Sequence, residues 1–70
     1  MSIGKNIKKI RLERGLTQRG LANKVGLAEI TIRQYENESR TPTLKTLNII
    51  ADKLNILLSE LISDDSLDSF

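Results

Sequence analysis

Neither cysteine nor histidine occurs anywhere in this sequence. Without cysteine there is no disulfide framework and no thiolate metal site. Without histidine the usual general base and the commonest metal ligand are both missing. No nucleophile–base pair and no metal-ligand spacing can be assembled from what remains, so the expectation is a protein with no enzymatic activity, no metal and no cofactor. No site for a small-molecule ligand stands out either. There is no apolar run long enough to span a bilayer and no leader of the signal-peptide type, which points to a cytoplasmic protein with no membrane partner. Proline occurs once, and Tyr35 and Phe70 are the only aromatic residues.

What the chain does have is leucine and isoleucine, 20 of its 70 residues, at helical spacing throughout. An all-α domain follows, close to the lower size at which a single core suffices. The net charge of +2 conceals an asymmetry. Residues 1–40 carry nine Lys or Arg against four acids, while 41–70 carry two against five. A solvated charged surface accounts for any single lysine, but the skew is what a phosphate-binding face requires.

Five helices are expected. The first runs from Ser2 or Ile3 to Arg14, with Ser2 as N-cap, Ile3, Ile7 and Ile10 as its buried stripe, and Gly15 as the left-handed residue that stops it. Leu12 falls off that stripe and reads as an exposed leucine, with a contact surface as the alternative. The second begins after Thr17, a good N-cap. The third covers Ala28 to Asn37, where Glu29 places a negative charge at the positive end of the helix dipole. The fourth follows Thr41-Pro42, with the proline at or near its first position and Leu44, Leu47, Ile50, Ala51 and Leu54 facing the core. Asn55 is a suitable left-handed terminator. The fifth spans Leu57 to Ile62. Residues 63–70, acidic and serine-rich, form a flexible tail beyond a domain of residues 1–62.

The organising stretch is Gln18 to Tyr35, QRGLANKVGLAEITIRQY. Leu21 and Val25 lie one helical turn apart, as do Ile32 and Tyr35 within a turn, so each short helix has one buried face. Ala22 leaves room for the second helix to cross closely. Gly26 can take positive φ and turn the chain sharply, and Leu27 plugs the angle. Together Gln18, Leu21, Ala22, Val25, Gly26, Leu27, Ile32 and Tyr35 resemble the helix-turn-helix of the Cro/phage-repressor family, the xenobiotic-response-element type of bacterial regulator. The resemblance covers residues 3 to 62, including KKIRLERGLTQ before the motif and YENESRTPTLKTL after it. It departs at several points. Gly20 stands where the family has a capping Glu, Ala28 where it caps with Ser or Thr, Glu38 and Asn55 where it often has Gly, and Leu57 where it tends to put Ser.

The resemblance implies a compact lambda-repressor-like domain of five helices, with the helix-turn-helix formed by helices 2 and 3. It also implies a transcriptional regulator, a repressor, binding double-stranded operator DNA of palindromic sequence as a homodimer. Ala28, Glu29, Ile30, Arg33 and Gln34 would then face the major groove. Arg pairs with guanine, Gln with adenine, Glu accepts from the cytosine amino group, and Ile packs on a thymine methyl. The bland alternative is a solvated face carrying an i, i+4 ion pair between Glu29 and Arg33. Thr17, Gln18, Asn37, Ser39, Arg40 and Thr41 would hold the phosphate backbone, although Asn37 reads equally well as a helix C-cap. Arg11 and Glu36 would form a partly buried ion pair tying helix 1 to the reading helix, two unrelated surface charges being the alternative. Leu57, Leu58 and Ile62 exceed what a short closing helix can bury and mark the dimer contact. A rival function is an antitoxin-type module whose apolar end grips another protein.

Overall fold

The computed structural model describes residues 3–63. The proposed N-cap Ser2 and the acidic residues from 64 onward lie outside the described residues. Five helices occur in order: α1 (Ile3–Glu13), α2 (Gln18–Val25), α3 (Glu29–Glu36), α4 (Leu44–Leu54) and α5 (Leu58–Ile62). Helix α3 packs against α2 and α1, and α5 closes the other side against α1 and α4. Ile7, Leu21, Ile32, Ile50, Leu54 and Leu61, one or two from each helix, are fully buried where these helices converge. Each contributes about 1.5–3 kcal/mol relative to an exposed side chain. Ile7 and Ile10 of the expected α1 stripe are buried, and Ile3 packs partly against the cluster.

Four of the helices end in one backbone pattern. A residue in the left-handed region follows the helix, and the amide of the next residue reaches back five positions. Leu16 donates to the Arg11 carbonyl at 3.0 Å, Leu27 to Ala22 at 2.9 Å, Ser39 to Gln34 at 3.0 Å and Ile56 to Ala51 at 3.0 Å. This satisfies carbonyls that the helix itself leaves free. The left-handed residues are Gly15 (φ 68°), Gly26 (φ 76°), Glu38 (φ 65°) and Asn55 (φ 56°). Three were expected from glycine and asparagine chemistry. Glu38 takes the same conformation with a side chain that disfavours it.

Several expectations about α4 and α5 are corrected. Pro42 is not a helical residue. Thr43 is the N-cap of α4, its hydroxyl accepting from the Thr46 amide at 3.2 Å. The helix therefore starts two residues after the proline, and Pro42 is buried ahead of the cap. Leu44, expected in the core stripe, is 63% exposed, and the α4 core residues begin at Leu47. Leu57 caps α5 rather than beginning it. Its side chain has no acceptor, and the amide of Leu57 is instead satisfied by the Glu60 carboxylate at 2.8 Å.

Two residues of α1 set how closely the helices approach. Gly4 is buried against α3, where a Cβ would lie 2.2 Å from the Tyr35 carbonyl oxygen. Any side chain there must push α1 and α3 apart. Asn6 is buried too, and its amide nitrogen donates to the carbonyls of Leu61 at 2.7 Å and Ser63 at 2.9 Å. It thus satisfies the free C-terminal carbonyls of a helix too short to stand alone. They flank the stripe of Ile3, Ile7 and Ile10 on opposite sides, Gly4 toward α3 and Asn6 toward α5, so the apolar period alone does not mark them.

Candidate nucleic-acid interface

Helix α3 carries the candidate reading face. Ile32 and Tyr35 are buried on its inner side. Ala28, Glu29, Ile30 and Arg33 lie exposed on the outer side, Ile30 at 51%. Ala28 occupies the N-cap in an extended conformation without a side-chain hydrogen bond, as its chemistry dictates. Glu29 and Arg33 approach to 3.5 Å across one turn. So exposed a pair contributes only about 0.3–0.5 kcal/mol, and either side chain can leave it at little cost. Gln34 differs from the expectation of a fully outward residue, being partly buried. The tilt follows from its place one position before Tyr35, at the edge between the two faces.

The residues assigned to the backbone divide into two groups. Thr17 caps α2, its Oγ1 accepting from the Gly20 amide at 2.9 Å. Its hydroxyl proton remains available to an outside acceptor. Gly20 leaves this cap undisturbed, since an added Cβ would lie 3.2 Å from the Thr17 hydroxyl. Gln18, the first residue of α2, is partly buried and donates its amide nitrogen to Glu36 Oε1 at 3.2 Å. The second group follows α3. Asn37 is the C-cap, and its Oδ1 accepts from the Ser39 amide at 2.9 Å. Ser39, Arg40 and Thr41 are all exposed on the loop to α4.

Beneath the α2 and α3 residues lies a charged junction. Arg11 donates from Nε to Glu36 Oε2 at 2.7 Å and from Nη2 to Glu36 Oε1 at 3.0 Å, a two-pronged pair with side chains 9% and 4% exposed. The third prong of the guanidinium, Nη1, donates to the Leu16 carbonyl at 2.8 Å. The pair implied by the resemblance is therefore present, and the alternative of two unrelated charges is not. Its link to Gln18 was not foreseen, because nothing in the spacing of Gln18 and Glu36 along the chain brings them together.

Around α5, Leu57 is 71% exposed and Ile62 37%, whereas Leu58 packs partly against the core. Leu61, not named from the sequence, is the residue of α5 that is fully buried. Leu44 and Ile49 of α4 add to the exposed apolar side chains. Among the described residues, no helix is long and apolar enough to cross a membrane. No cluster of three acidic, histidine or cysteine side chains is placed to hold a metal ion among them either.

The geometry is that of known proteins. Residues 7–61 match the family described as helix-turn-helix. The chain is 37% identical over 67 residues to the immunity repressor protein of Bacillus phage phi105, covering 96% of this chain and 46% of that protein. It is 32% identical over 65 residues to the antitoxin PezA of Streptococcus pneumoniae, covering 93% of this chain and 41% of the relative. It thus spans less than half the length of either. Among solved structures it superposes on SinR, a master regulator for biofilm formation crystallised in complex with DNA. The TM-score there is 0.81 at 29% identity, covering 87% of this chain and 98% of the other. With the five-helix architecture, the turn at Gly26 and the match over most of its length, the chain belongs to the helix-turn-helix family of the Cro/phage-repressor type.

Proposed function

We propose that the protein is a sequence-specific DNA-binding transcriptional repressor of the cytoplasm. It inserts α3 into the major groove and binds a palindromic operator as a homodimer. The observation that carries this reading is the outer face of α3. It presents Glu29, Ile30 and Arg33 to solvent with Gln34 at its edge, and nothing within the domain accounts for the exposed isoleucine. Arg33, Gln34 and Glu29 read base edges, Ile30 meets a thymine methyl, and Ala28 allows close approach. Thr17, Gln18, Asn37, Ser39, Arg40 and Thr41 hold phosphates and carry no sequence information. Leu57 and Ile62, with the partly buried Leu58, form the contact between two copies.

The test is selection of binding sites from a random duplex library, followed by affinity measurement on the enriched site. Two related half-sites should emerge, and binding should fall with salt by a slope near −0.9 per phosphate neutralised. Gln34→Ala should cost about 1–3 kcal/mol on that site and relax the choice at one base pair per half-site. A library that returns no enriched sequence rejects the proposal. The similarity to an antitoxin supports a second reading, in which the apolar end of α4 and α5 grips another protein. Sedimentation of the purified chain with the enriched duplex distinguishes the two, since the first requires two copies per site.

A further inference from the structure

The Glu36 carboxylate lies against Gln18 without carrying a free charge. Both of its oxygens are engaged by Arg11, and Oε1 additionally accepts from Gln18 Nε2 at 3.2 Å. Its side chain is 4% exposed. A bare carboxylate near a DNA phosphate would repel it, but the bidentate guanidinium cancels that charge and leaves only the acceptor geometry. That geometry is selective. An ionised carboxylate accepts and never donates, so the Gln18 side chain must turn its NH2, not its carbonyl, toward Glu36. One of the two amide hydrogens is used in this contact. The other stays free at the start of α2.

We propose that Glu36, through its hydrogen bond to Gln18, is a positioning residue that fixes the flip of the Gln18 amide so that its second N–H meets a DNA phosphate. Arg11 neutralises Glu36 so that it can do so beside the backbone. The proposal rests on the DNA-binding reading above and adds a cause for the orientation of the phosphate contact. Without Glu36 the amide is free to rotate by half a turn, which would aim its carbonyl oxygen at a phosphate oxygen. The same carboxylate belongs to α3, so seating of the reading helix and orientation of the phosphate contact on α2 depend on one group.

The experiment is a cycle of four proteins, the unaltered chain, Gln18→Met, Glu36→Gln and the double variant, titrated with a duplex enriched by selection at one salt concentration. Gln18→Met keeps the length of the side chain and removes both donors. It should weaken binding about tenfold, the value of a hydrogen bond to a charged group. Glu36→Gln should weaken binding about fivefold in the unaltered background and by less than about 1.5-fold on Gln18→Met, because the group it acts through is gone. Equal weakening in both backgrounds would show Glu36 acting on the fold alone, and no weakening in the first would show no role; either overturns the proposal. If Glu36→Gln does not fold, NMR of the unaltered chain decides. One Gln18 side-chain amide hydrogen should be slowed in exchange in the free protein and the other should shift on adding DNA. Two rapidly averaging hydrogens would refute it. A selection that enriches nothing removes the DNA-binding reading itself, an outcome separate from a cycle that binds DNA but shows no coupling.

Discussion

Three of the four left-handed helix endings differ from the fourth, and the difference separates what builds the domain from what it offers to a partner. After α1, α2 and α4 the left-handed residue is Gly15, Gly26 or Asn55, and the next residue is Leu16, Leu27 or Ile56. All three of these apolar residues pack against the core. After α3 the corresponding residues are Glu38 and Ser39, both exposed. The bond reaching back five positions is common to all four, and after α3 the Arg40 amide also donates to the Gln34 carbonyl at 3.2 Å. A glycine or asparagine followed by an apolar plug turns the chain inward and seals the helix end, while a charged residue followed by serine turns it along the surface. The first three endings serve folding. The fourth delivers Ser39, Arg40 and Thr41 to the side of the molecule that we assign to DNA.

The largest change expected from breaking an inward ending comes from Arg11. Its carbonyl accepts the Leu16 amide and its guanidinium donates to the Leu16 carbonyl, so one residue clamps both sides of the first turn. Arg11→Met also leaves Glu36 buried without its counterion, and should cost about 3–5 kcal/mol in urea unfolding. Adding Glu36→Leu should recover part of that loss, and additive costs would show that the two side chains are independent. Leu27→Ser, which converts the second ending into a copy of the fourth, should cost about 1.5 kcal/mol through lost burial. A change within a few tenths of zero would mean that the plug is decorative.

The two smallest effects have opposite signs. A Cβ at Gly26 meets nothing within 4 Å, so Gly26→Ala reports backbone strain alone and should destabilise by about 1 kcal/mol. Glu38→Gly removes that strain but also the interaction its side chain makes, so with the flexibility that glycine adds to the unfolded chain it should raise stability by less than about 0.5 kcal/mol. The urea midpoints of the two variants should move in opposite directions. Movement in the same direction would show that the α3 ending is held by something other than the shared backbone pattern.

These endings also show how far local chemistry reads through to structure. Gly15, Gly26 and Asn55 stop their helices where a sequence reading places the stops, because positive φ is a property of the residue and its immediate neighbours. Thr17 and the buried pairs Leu21–Val25 and Ile32–Tyr35 are legible for the same reason, the helical period being local. Pro42 misleads because proline suits the first turn of a helix, yet Thr43 offers the backbone a better cap one residue later. Leu44 misleads because it continues the α4 period, while period alone does not say which positions a neighbouring helix covers.

Sequence by itself determined the five helices, the turn at Gly26 and which side of α3 faces outward, since each follows from interactions within one or two turns of chain. Only the tertiary structure decided the rest. It is the crossing of α1 and α3 that leaves no room for a Cβ at Gly4 and puts the Tyr35 carbonyl there instead. The return of α5 onto α1 gives Asn6 two carbonyls to satisfy. The meeting of three helices binds Arg11, Glu36 and Gln18 into one network across 25 and 18 positions of sequence. Such contacts have no periodicity to betray them: a hydrogen bond depends on separation in space, and residues far apart in the chain acquire theirs only when the helices have packed.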